Sequence, residues 1–137
     1  MIEDISFQVH LKDDYESALE KVTSALKEEG FGVLTEVDVK ATLKKKIDAD
    51  FRHYAILGAC NPPLAHKALQ TEPLVGLMLP CNVTVEETES GALVNLINPQ
   101  AMILSHPMLA DNPTLKEVAD DAYIRLSRVA ANLKTGK

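Results

Sequence analysis

The sequence predicts an α+β fold with helices packed on one face of a mostly antiparallel sheet. Three observations carry that prediction. Short segments alternate apolar and polar residues, as strands with one wet face do. Helices and strands follow in the order β-α-β-(α)-β-α-β-β-α, joined by tight turns rather than regular βαβ crossovers. The chain ends in a long amphipathic helix able to cover such a sheet.

The elements follow in order. Ile5, Phe7 and Val9 share one side of a first strand over residues 5–9, with Ser6 and Gln8 on the other. Asp13 and Glu16 form a capping box, after which Tyr15, Ala18, Leu19, Val22, Ala25 and Leu26 recur at helical spacing until Gly30 supplies a left-handed cap. A second strand starts at Phe31, with Val33, Thr35 and Val37 on the same face. "KATLKKKI" makes a short helix of two turns, and "FRHYAILGA", Phe51 to Ala59, a more buried third strand containing His53.

A short helix begins at Cys60. Asn61 is its N-cap, Pro62 fills the first helical position, where the N–H has no partner anyway, and Leu64 to Leu69 propagate it. "LVGLMLPCNVTVEET" and "SGALVNLINP" form a hairpin around a turn at Ser90 and Gly91. A loop with Asn98, Pro99, Ser105, His106 and Pro107 leads to a capping box of Thr114 and Glu117. Leu115, Val118, Ala119, Ala122, Leu126, Val129, Ala130 and Leu133 then fall on one stripe of a helix roughly 30 Å long.

With 137 residues, 46% of them hydrophobic, the chain is sized for a single domain, 1–137, that buries its core without disulfides or a structural metal. A net charge of −6 opposes docking on nucleic acid or anionic lipid, which need clustered Lys and Arg. The one basic run, Lys44 to Lys46, reads as a solvated helix face. No apolar stretch approaches a membrane span, and "MIEDISFQVH" lacks the pattern of a secretory leader, so the expected setting is cytoplasmic, with both cysteines as thiols.

The chemistry-bearing candidates are few. Glycine-rich phosphate loops and paired carboxylates at a catalytic spacing are missing from the sequence, and Asp120 and Asp121 read as a solvated helix face. Cys60 sits just before an N-cap, where unpaired N–H groups carry partial positive charge that favours an anion and lowers a thiol pKa. Its plainer role is that of a small buried hydrophobe. Cys81 follows Pro80 at the start of a strand, and its 21-residue distance from Cys60 matches no zinc-finger spacing. Should the two meet in space, they form a dithiol, a soft-metal pair or a redox-switchable bridge. His66 turns away from the apolar stripe of its helix, either as a surface residue or as a ligand or proton carrier beside Cys60. His53 and His106 would have to complete any metal set, and spacing places neither; no cofactor is specified.

The run "HYAILGACNPPLAHKAL", followed by "GLMLPCNVTVEE" and "NP", resembles the domain of unknown function 302 family over nearly the whole chain, most densely between Tyr54 and Val85. The resemblance implies a small two-layer α+β domain with a curved antiparallel sheet around helices, forming homodimers. It maps Cys60, Asn61, Pro62, Pro80 and Cys81 as a shared feature with no assigned activity.

Three functions follow from these residues. The first is a binding module in which Cys60, Asn61, Cys81 and His66 hold a small anion, a thiol compound or a soft metal at a helix N-terminus. The second is a homodimeric structural or regulatory protein whose cysteines merely pack and whose "LVGLML" and "MILSHPML" segments form the interface. The third is a thiol-dependent redox protein in which Cys60 attacks and Cys81 resolves. Whether the chain turns over a substrate stays open at this level.

Overall fold

A computed structural model describes residues 4–136. Met1 to Glu3, at the start of the segment read for a leader, and Lys137, at the end of the expected domain span, lie outside them. Five strands, β1 (Ser6–Leu11), β2 (Gly32–Asp38), β3 (Tyr54–Cys60), β4 (Cys81–Thr88) and β5 (Gly91–Ile97), form one sheet in the order β1-β5-β4-β3-β2. Every ladder is antiparallel, and the sheet is open at β1 and β2. The helices are α1 (Tyr15–Glu28), α2 (Val39–Ile47), α3 (Pro62–Thr71), α4 (Pro99–Ile103), α5 (Pro107–Ala110) and α6 (Pro113–Thr135), with a 3-10 turn at Pro73–Met78. The fold is the α+β layer that the alternation predicts.

The pleat sorts the residues. Val9, Leu11, Ala55, Leu57, Val83, Val85, Val94 and Leu96 point to one face and are buried against Val22, Leu26, Leu126 and Val129 of α1 and α6. A second apolar cluster joins Ala68 of α3 and Val75 of the 3-10 turn to Ile103, Leu109, Leu115, Val118 and Ala119. Leu64 packs against both clusters.

Several boundaries differ from expectation for identifiable reasons. Asp14, not Asp13, caps α1 by accepting from the Ser17 N–H at 2.9 Å, while Asp13 binds Lys21 Nζ at 2.9 Å. β3 starts at Tyr54, so His53 lies before the strand, where its ring stacks on Tyr15 at 4.9 Å. Cys60 closes β3 rather than opening a helix. The hairpin turn is Glu89–Ser90, with Gly91 already in β5. Asn112, not Thr114, caps α6, accepting from Thr114 and Leu115 N–H at 3.0 and 3.2 Å. The loop expected at 98–107 holds α4 and the start of α5, each capped by the residue before its proline, Asn98 and His106. Asp120 and Asp121 are engaged, on Gln100 and Lys116 and on Arg125.

Candidate functional site

Cys81 opens β4 directly opposite Ala59, so the next residue of β3, Cys60, lies one position off it in register, with its own ladder partner in Gly32 of β2. Both are free thiols, Cys60 half-buried and Cys81 buried. Both line one hollow of about 290 Å³. The fold therefore brings the two cysteines, far apart in sequence, to the wall of one hollow.

The hollow has three sides. On the sheet side, Val33 pairs with Ala59 and Thr35 with Gly58, so Leu34 is the extra residue of a β-bulge in β2. A bulge re-aims a side chain, and Leu34 lines the hollow while 67% exposed at its mouth. On the helix side stand Leu64, Ala65, Ala68 and Leu69 of α3, with Ile103 of α4 and Val118 and Ala122 of α6 behind them. Leu79 and Pro80 complete the wall, joined by a cis peptide. Four of the lining residues are alanines, Ala59, Ala65, Ala68 and Ala122, and their short side chains leave the space unfilled.

Gly58 shows how tightly the sheet side is assembled. A Cβ there would overlap Thr35 Oγ1 and lie 2.7 Å from Pro80 Cγ, so the close approach of these two side chains over β3 depends on its absence.

Asn61 is buried, but its polar atoms face the scaffold. Its Oδ1 accepts from the Leu64 N–H at 3.3 Å, and its Nδ2 donates weakly to the Glu29 carbonyl at 3.5 Å. The same carbonyl accepts from Arg125 Nη1 at 3.1 Å, and the Glu29 carboxylate pairs with Arg128 at 2.9 Å. Asn61 thus ties the end of α1 to the start of α3 and to α6.

The first turn of α3 has little to offer an anion. Pro62 and Pro63 carry no N–H, Leu64 N–H is held by Asn61 Oδ1, and Ala65 N–H by the Asn61 carbonyl at 2.9 Å. The partial positive charge of a helix start resides on free N–H groups, and here they are absent or engaged. Accordingly the thiols move the opposite way from the lowering expected at a helix tip. Burial pushes the Cys60 thiol up, and burial together with the neighbouring Cys60 pushes Cys81 up to about 11. Both are neutral thiols at pH 7.

His66 is exposed on α3 and does not line the hollow, because the turn that points Leu64, Ala65 and Ala68 inward points it to solvent. His106 uses Nδ1 to cap α5, accepting from the Met108 N–H at 3.1 Å. Among the described residues no group of three His, Cys, Asp or Glu stands close enough to hold a metal ion, and no buried side-chain polar atom lacks a partner. None of their helices is long and apolar enough to cross a membrane. Sequence reading missed Leu34, Leu69, Ala65 and Ala68 as wall residues; the helical stripe of α3 was the signal for the last three, while no local pattern marks the bulge.

The family profile described as Domain of unknown function DUF302 matches residues 7–133. Among solved structures, the chain is similar to an uncharacterized conserved protein DUF302 from Bacillus stearothermophilus, at 30% identity and a TM-score of 0.81 over 94% of this chain and 98% of that one. No curated protein matches the chain.

Proposed function

The chain belongs to the DUF302 family of unknown function, and we propose that it is a binding module, one cytoplasmic domain that seats a small ligand beside Cys60 and Cys81 without turning it over. The observation that carries this reading is the open hollow of about 290 Å³, walled by apolar side chains and both thiols at a break between two strands and a helix. Concave, mostly apolar, largely pre-formed sites are where small ligands bind.

Of the ligands the residues leave open, an anion fits least, since α3 has no N–H to spare and the wall carries no cation. Neutral thiols also weaken the redox reading, because the thiolate is the attacking species and no base lines the wall with Cys60. Uncharged, soft ligands fit best. Native mass spectrometry with elemental analysis, on protein purified without chelator, tests the module. A retained species that is lost in Ala65→Leu, where a larger side chain fills the hollow, supports it. No retained species, together with no melting shift from any of a panel of small molecules, contradicts it.

A homodimer is the second reading. In the 3-10 turn, residues three apart share a face, so Leu74 and Leu77 form a ridge 53% and 80% exposed while Val75 and Met78 turn inward. Light scattering of Leu77→Asp checks it. A fall from dimer to monomer mass supports the interface, and a wild-type chain that is already monomeric contradicts it.

A further inference from the structure

The hollow also constrains what kind of molecule enters it, an inference that rests on the binding reading above. Its size, its polarity and its sulfur atoms each limit the ligand.

An apolar cavity of about 150 Å³ accepts one benzene ring. A hollow of about 290 Å³ has nearly twice that room. Its opening is framed by exposed leucines, Leu34 at 67% and Leu69 at 41%, so an apolar molecule meets an apolar threshold.

Charge is excluded by bookkeeping of the polar atoms. The amide of Asn61 is committed to Leu64 N–H and the Glu29 carbonyl, and the first turn of α3 has no unpaired N–H. The wall includes no Lys, Arg, His, Asp or Glu. A carboxylate or ammonium entering here would lose its hydration and gain no partner beyond the hydroxyl of exposed Thr35 and the weak thiol donors, which is costly. The two protonated thiols are weak donors and polarizable surfaces, and sulfur packs favourably against aromatic ring edges.

We propose that the ligand class is an uncharged, largely apolar molecule of one or two fused rings, held non-covalently between the β2 bulge, α3 and the Cys60–Cys81 corner. Its polar substituent, if it has one, faces the mouth.

A matched pair of probes tests this. By calorimetry at pH 7 the neutral 2-naphthol binds at least about tenfold more tightly than the 2-naphthoate anion, which has the same rings and a charge. Two variants report on location. Ala65→Leu removes 2-naphthol binding by filling the hollow. Leu34→Asp, at a residue exposed enough to tolerate the change, weakens it several-fold by putting a carboxylate at the threshold. Equal or tighter binding of 2-naphthoate overturns the uncharged class, and 2-naphthol binding that neither variant alters overturns the location. If neither probe binds while native mass spectrometry still shows a species lost in Ala65→Leu, the ring class falls and the module stands. If neither probe binds and nothing is retained, both fall.

Discussion

The two apolar clusters of this molecule are built differently. The larger lies between the sheet and two long helices, α1 and α6, whose stripes of Val22, Leu26, Leu126 and Val129 meet a continuous pleated face. The smaller is assembled from short pieces: α3, the 3-10 turn, α4, α5 and the first part of α6. Long elements interdigitate over several turns and fill space, whereas short ones meet only at their ends. The hollow lies on the seam, drawing Phe31, Ala59 and Ala122 from the first cluster and Ala68, Ile103 and Val118 from the second. The hollow is what remains where two packing regimes meet.

Truncation and filling should therefore have opposite characters on the two sides. Leu126→Ala, fully buried in the larger cluster, is expected to cost about 2–5 kcal/mol in denaturant unfolding, the range for a buried leucine. Ala65→Leu at the seam is expected to cost roughly 1 kcal/mol or less, because there is space for the added atoms. A large loss from Ala65→Leu would mean that the hollow is not free space.

The next effect concerns Cys81 and pH. Its thiol titrates at about 11 in the folded chain against an ordinary 9.0, so the folded state binds the proton more tightly. The associated stability is complete below pH 9 and is lost as pH rises from about 9 to about 11, by on the order of 2–3 kcal/mol for a two-unit shift. Unfolding of wild type and Cys81→Ala, measured across this window, should show the advantage of wild type shrinking. A constant difference would mean that Cys81 is as well solvated folded as unfolded.

A smaller effect separates the cap from the site. Asn61→Ala removes the acceptor of the Leu64 N–H and should cost about 1 kcal/mol, with Asn61→Asp recovering most of it through the same cap. If Asn61 contacts ligand instead, both variants lose binding in calorimetry while the melting temperature of the free protein hardly moves.

Much of this architecture is legible in the residues. Alternation at Phe7, Val9, Val83, Val85, Val94 and Leu96 marks the buried face, and the stripe from Leu115 to Leu133 marks α6. What went unread lies mostly in the short elements. Six of the seven prolines stand at helix starts, Pro62, Pro63, Pro73, Pro99, Pro107 and Pro113, and three of those starts are Asn-Pro pairs. Proline at the first helical position is a start signal even where four or five residues are too few for periodicity, as in α4 and α5. The same prolines remove the helix-tip field that would oppose the effect of burial on the thiols. The helix start was legible at Asn61 and Pro62, but the charge expected there depends on N–H groups that the two prolines lack. That Cys60 and Cys81 line one hollow depends on the β3–β4 register, and the Leu34 bulge needs the β2–β3 register; neither is written in local sequence.

The pH dependence of Cys60 alkylation by iodoacetamide, in Cys81→Ala so that one thiol reports, bears most directly on the neutral hollow. A thiol held in an apolar wall gives a midpoint above the ordinary value of 9.0, and the rate at fixed pH falls when 2-naphthol is present. A midpoint at or below that value would mean an activated thiolate at a charged helix tip, and would contradict it.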